Sequence, residues 1–121
     1  MIKKTKPYKK PKRSKFGNIK CSHLGIVFDS KLERQRWIRL QECQKDGLIT
    51  NLDRQVRYPL LYGDEHICDY IADFEYLRDG KIVTEDTKGV LTDVFRIKAK
   101  LFKIFYLREI QIVKKDKITT L

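Results

Sequence analysis

Apolar and polar positions recur with two different periods along this chain. From Ser30 onward Leu32, Trp37, Ile38 and Leu40 fall at helical spacing, and the pattern stops at Gly47. Ser30 with Glu33 three residues later matches a Ser-x-x-Glu capping box, so a helix is expected to begin there and to close at Gly47. Ahead of it, residues 24–28 read as a short apolar strand. Behind it, residues 55–60 alternate, with Val56, Tyr58 and Leu60 on one face and Gln55 and Arg57 on the other. Pro59 argues for an edge strand or a strand end. Two runs rich in aromatic and β-branched residues, 67–77 and 81–88, then flank Asp79-Gly80, a dipeptide that favours a two-residue type I′ hairpin turn. Past Gly89 and a candidate cap at Thr92, Val94, Ile97, Leu101, Ile104 and Phe105 return to helical spacing. Residues 109–113 alternate as a last strand before a polar tail beginning at Lys114. Helix, three strands, helix and strand make an α/β chain, one domain with a mixed β-sheet and flanking helices.

The hairpin turn fixes a register. With Arg78 opposite Lys81, Asp73 falls across from Asp86 and Ile71 across from Lys88. Side chains alternate along a strand, so Lys88 shares the face of Asp86 while Glu85 and Thr87 point the other way. Cys68, Tyr70, Ala72, Phe74 and Tyr76 line the face opposite Asp69, Ile71 and Asp73, read as the core side. Carboxylates on directly opposed positions repel, with Cβ atoms about 4.5–5.5 Å apart. A divalent cation between Asp73 and Asp86 would offset that repulsion, because hard cations such as Mg²⁺ take carboxylate oxygens and keep waters for chemistry. An ordinary solvated hairpin face is the simpler reading. Glu33 shares its stripe with Trp37 and Leu40, where a carboxylate needs a partner. Its spacing leaves the capping box and metal ligation both open.

Charge narrows the partners. The 121 residues hold 27 Lys and Arg against 16 Asp and Glu, a net charge of +11. Nine of those bases and no acid lie within residues 1–20, so +9 of the +11 sits there and the remainder is nearly balanced. Residues 1–15, with Lys9, Lys10, Lys12, Arg13 and Lys15 interleaved with Pro7 and Pro11, read as a flexible basic arm that grips a polyanion. Residues 16–121 are then the folded domain. Nucleic acid fits such an arm better than a membrane surface, because the arm has no apolar face and no apolar run follows it. Arg96, Lys100 and Lys103 form a second basic stripe, open to reading as solvated surface or as phosphate contacts. Cys21, Cys43 and Cys68 are odd in number and lack CxxC spacing, as expected of reduced intracellular thiols. His23 and His66 have no spaced partners for a zinc or HNH-like site, and the scattered glycines form no phosphate loop.

Four stretches carry a resemblance: Lys15-Phe16-Gly17-Asn18, Phe28-Asp29-Ser30-Lys31-Leu32-Glu33, Tyr70-Ile71-Ala72-Asp73-Phe74 and Glu85-Asp86-Thr87-Lys88-Gly89. Together, from Lys15 to Phe105, they resemble a family of small, mostly phage and prophage proteins assigned to the PD-(D/E)XK nuclease superfamily. That likeness implies a restriction-endonuclease-like core of order α-β-β-β-α-β and a catalytic set of Glu33, Asp73, Asp86 and Lys88. Asp86 stands where the motif has E or D, and Ala72 where the motif has Pro. Glu33, Asp73 and Asp86 would ligate Mg²⁺ or Mn²⁺, and Asp69 could support or replace one of them. Beside two carboxylates Lys88 is expected to orient water or stabilise charge, with general-base action left open. The activity implied is metal-dependent hydrolysis of DNA phosphodiester bonds. A homodimer cutting branched DNA in the manner of Holliday-junction resolvases, in a host cytoplasm, is the leading form, with a nicking or general phage nuclease behind it. A non-catalytic basic nucleic-acid-binding protein is the rival from another class.

Overall fold

The described residues of the computed structural model, 20–115 and 117–121, form nine elements. In order they are β1 (Cys21–His23), β2 (Ile26–Phe28), α1 (Lys31–Lys45), β3 (Thr50–Tyr62), β4 (Glu65–Arg78), β5 (Lys81–Thr87), α2 (Asp93–Tyr106), β6 (Gln111–Lys114) and β7 (Lys117–Thr120). The basic arm at 1–15 lies outside the described residues. Five strands share one sheet in the order β3-β4-β5-β6-β7, antiparallel except for the parallel β5/β6 pair that α2 connects. The expected mixed sheet and its order of helix and strands are present, with two additions. Residues 21–28 form a two-stranded hairpin, turned at Leu24-Gly25, in place of one strand. The expected polar tail instead returns as β7 alongside β6. Pro59 lies in β3, an edge strand, where its missing N–H spares a ladder bond.

Local chemistry sets the element ends as the sequence predicts. Ser30 Oγ accepts the Glu33 N–H at 3.1 Å, and Thr92 Oγ1 accepts the Phe95 N–H at 3.1 Å. Helix α1 ends with Leu48 N–H donating to Cys43 O and Gly47 N–H to Gln44 O, the Schellman pair, with Gly47 left-handed. At the β4/β5 turn Asp79 and Gly80 are both left-handed, with φ of 53° and 75°, as a type I′ connection demands.

The two helices cover opposite faces of the sheet. Trp37 of α1 stacks on Phe74, and Leu40 and Cys43 pack with Phe74, Tyr76 and Ile49. On the α2 side Phe95, Ala99 and Phe102 pack with Leu60, Tyr70, Ala72 and Ile112. Tyr58, edge-on to Phe102 of α2, donates to Glu75, the strand neighbour of both Phe74 and Tyr76. Even-numbered β4 residues therefore face α2 from Cys68 to Ala72 and α1 at Phe74 and Tyr76, which corrects the single core face expected from alternation. The reversal occurs at Asp73. Directly across from it Gln55 adopts φ of 55°, a left-handed conformation that costs a residue with Cβ roughly 1–2 kcal/mol. Arg54 on one side of Gln55 turns to Phe28, while Val56 on the other joins the α2 core.

Helix α2 also departs from expectation. Its core stripe is Phe95, Ala99, Phe102 and Tyr106, and the stripe read from the sequence faces out except at Leu101, which packs against the core, with Ile97 59% and Ile104 68% exposed. Both stripes have helical spacing. The aromatic one wins because its rings meet Tyr58 and Tyr70 at centroid separations of 4.9–6.1 Å, and aromatic side chains bury the most surface. Among the described residues no helix is long and apolar enough to cross a membrane. Urea denaturation checks the assignment of stripes. Phe102→Ala is expected to lose about 3–5 kcal/mol and Ile104→Ser less than about 0.5 kcal/mol; equal losses would contradict it.

Candidate functional site

Strands β4 and β5 stay paired from Arg78↔Lys81 as far as Phe74↔Glu85. Past that point β5 continues beside β6, through Asp86↔Ile112 and Thr87↔Val113, while β4 continues beside β3. The register expected from the turn holds as far as that rung; the sheet then forks, so the expected rungs of Asp73 with Asp86 and of Ile71 with Lys88 are not formed. Asp73 projects into the fork, where its Oδ2 accepts the Thr87 N–H at 2.9 Å and the Thr87 hydroxyl at 2.8 Å. Asp86 stands beside it, close enough for the two carboxyl groups to share a hydrogen bond. Tyr70 donates its hydroxyl to Asp86 Oδ2 at 2.7 Å, and Lys88 Nζ lies 3.2 Å from Asp86 Oδ1. The Lys88 ammonium also sits 4.2 Å above the Phe95 ring, a cation–π contact that ties it to the first turn of α2. Asp73 and Lys88 thus both come to Asp86, Lys88 on the side expected for it and Asp73 through the opening of the fork.

Both aspartates are buried. Burial foremost, and then the charge of Asp73, push the Asp86 carboxyl well above the usual aspartate range, against the pull of Lys88 and of the Tyr70 hydrogen bond. The Tyr70 phenol is raised as well, by its own burial and by Asp86. A buried pair of carboxylates in this state favours either a shared proton or a cation. Two carboxylates fit a hard divalent ion that fills its remaining positions with water and substrate phosphate oxygens.

Glu33 does not complete a three-acid cluster. It is buried on α1 and its carboxylate accepts Gln55 Nε2 at 3.2 Å. Among the described residues no three His, Cys, Asp or Glu side chains are grouped so as to hold a metal ion. The reason is the layering. Glu33 comes from the α1 side, whereas Asp86 is anchored by Tyr70 on the α2 side.

Glu85 is turned away, as expected. It is fully buried on the α1 side, where Arg36 donates to it through Nε at 2.7 Å and Nη2 at 2.6 Å and Tyr76 adds its hydroxyl. Hydrogen bonding to Glu85 foremost raises the Arg36 guanidinium above its ordinary value against the opposing effect of burial. Thr87, expected to point away too, instead clamps Asp73, because β4 reverses its facing at that residue. Asp69 is held apart by Arg57 at 2.9 Å and His66 at 2.7 Å, so His66 has a partner that spacing did not reveal. Burial pushes the Asp69 carboxyl up, but the hydrogen bonds from His66 and Arg57 outweigh it and hold the group below its usual range.

Arg96, Lys100 and Lys103 are exposed on α2, Lys103 being bridged to Glu109 at 2.9 Å. Lys9, Lys10, Lys12, Arg13 and Lys15 lie outside the described residues. Three neighbours of the acid pair, Tyr70, Thr87 and Gln55, are given no site role by the sequence. Only Gln55 carried a signal, its place on the face opposite Val56.

A family model described as "Protein of unknown function (DUF1064)" matches residues 13–120. No curated protein matches the chain, and no solved structure does.

The raised Asp86 carboxyl sets a pH dependence. Its folded value lies above the unfolded value of 3.8, so its contribution to stability is present below that value and is lost as pH rises through the folded one. In chelator, Asp86→Asn is therefore expected to melt close to wild type at about pH 4 and progressively above it towards about pH 8. A melting difference independent of pH would contradict the buried, charge-coupled pair.

Proposed function

The chain belongs to the family described as Protein of unknown function (DUF1064), and for it we propose metal-dependent hydrolysis of DNA phosphodiester bonds at the β4/β5 fork. The observation that carries this reading is the buried Asp73–Asp86 pair with the Lys88 ammonium beside it, set where two strands part. An acid pair with Lys two residues beyond the second Asp, as in Asp86-Thr87-Lys88, is the PD-(D/E)XK arrangement. In the same reading the core from α1 through β3, β4, β5, α2 and β6 is restriction-endonuclease-like.

Asp73 and Asp86 would hold Mg²⁺ or Mn²⁺, with Glu33 behind them. Bound there, the ion would supply Lewis-acid activation of the phosphoryl group and of water. The protein's own groups do the rest. Thr87 fixes the Asp73 carboxylate through two hydrogen bonds, and Tyr70 fixes that of Asp86. Lys88, held by Asp86 and Phe95, offers a positive charge to the negative charge that grows on the phosphate in the transition state. Arg96 and Lys100 lie exposed along α2, the helix that begins beside Lys88, where they can grip flanking phosphates without reading sequence. So small a domain leaves little surface for base readout, which favours a substrate chosen by shape. Branched DNA cut by a homodimer fits best, since paired incisions need two sites.

A four-way junction, a flap and a linear duplex incubated with Mg²⁺ separate this reading from its rival. Wild type is expected to cut, the junction fastest, and Asp86→Ala and Lys88→Ala to slow cutting on the order of 10²-fold or more. Cutting unchanged in both variants would overturn the site. Tight DNA binding with no cutting in Mg²⁺ or Mn²⁺ would favour a non-catalytic nucleic-acid-binding protein.

A further inference from the structure

Five described residues other than glycine have a left-handed backbone, and four of them stand where the chain must turn or slip. Leu24 and Asp79 form two-residue turns, Leu107 ends α2, and Asn51 falls at the register shift between Thr50 and Asp53. Gln55 is different. It lies inside an unshifted stretch of ladder, between Arg54↔Phe74 and Val56↔Ala72, where no turn or shift of register calls for the conformation. Glycine adopts it freely and asparagine with less strain than most residues. A glutamine there invites a reason in its side chain.

That reason is on the page. The register places Gln55 directly across from Asp73, and the left-handed backbone is the point at which the two strands exchange faces. Its side chain reaches the α1 side, where Nε2 donates to Glu33 Oε1 at 3.2 Å, and Glu33 is only 3% exposed. One residue therefore joins the strand opposite Asp73 to the buried acid of α1. We propose that Gln55 is a positioning residue, holding the Glu33 carboxylate toward the fork so that the Asp73–Asp86 pair binds a divalent cation with Glu33 as outer support. The inference rests on the metal-site reading above. It explains how an acid outside the pair contributes without joining it, since groups that orient a site's carboxylates commonly set metal affinity by 10–100-fold.

Two substitutions separate side chain from backbone. Gln55→Gly removes both the strain and the amide. Gln55→Asn keeps an amide and tolerates the backbone, but is one methylene too short to reach Glu33 as Gln55 does. Gln55→Ala serves as the strained reference. In metal-free buffer the Gly and Asn variants are expected to melt above the Ala variant, the Gly variant by about 4 °C or more. Mn²⁺ affinity, measured calorimetrically without DNA, is expected to fall about tenfold or more in all three. Wild-type Mn²⁺ affinity in Gln55→Gly would overturn the inference and leave the metal site standing, because position 55 would then be a strand kink and nothing more. A wild-type chain that binds no Mn²⁺ would overturn both.

Discussion

Two carboxylates removed from water side by side repel each other and lose their hydration, and the fold of this chain forces Asp73 and Asp86 into that position. The constraint begins on β5. Arg36 grips Glu85 in a two-pronged ion pair on the α1 side, and Tyr76 adds a third hydrogen bond. A β-strand whose residue 85 is pinned to one face must send residues 84 and 86 to the other. Thr84 accordingly meets Arg108 on the α2 side, and Asp86 meets Tyr70 there. Glu85 is thus the structural anchor that aims its neighbour, and a charge that could be mistaken for a ligand does its work by being occupied elsewhere.

The second arm comes from β4. Once that strand parts from β5 past Phe74, Thr87 presents an amide and a hydroxyl into the gap, and Asp73 fills it. Lys88 is held close by Asp86 and by the Phe95 ring, so the helix that follows the strand also supplies the seat for the cation. Acids from two strands, a lysine and the start of a helix converge because the sheet opens at one place. The proposed hydrolysis uses that opening, and the exposed bases of α2 extend from it.

Much of this is legible in the sequence. Asp79-Gly80 admits essentially one kind of turn, so the pairing of Phe74 with Glu85 and the placing of Lys88 beside Asp86 follow from counting. Ser30, Gly47 and Thr92 mark helix ends through local hydrogen bonds, which sequence encodes directly. What failed was long-range. The reversal at Gln55 and Asp73 depends on a left-handed glutamine that no residue type announces, and it moved Thr87 into the site and split one expected core face into two. On α2 two stripes had equal periodicity, and the choice between them rested on rings supplied by Tyr58 and Tyr70 from other strands. Glu33 sits on the predicted helix, and its hydrogen-bond partner Gln55 comes from β3, which helical spacing does not reveal.

Crystals soaked in Mn²⁺ and measured at the manganese absorption edge bear most directly on the central claim, that the fork between β4 and β5 is a divalent-cation site. An anomalous peak between the Asp73 and Asp86 carboxylates, lost in Asp86→Asn, is the expected result. A peak beside Asp69 and His66 instead, or none at the fork, would contradict it.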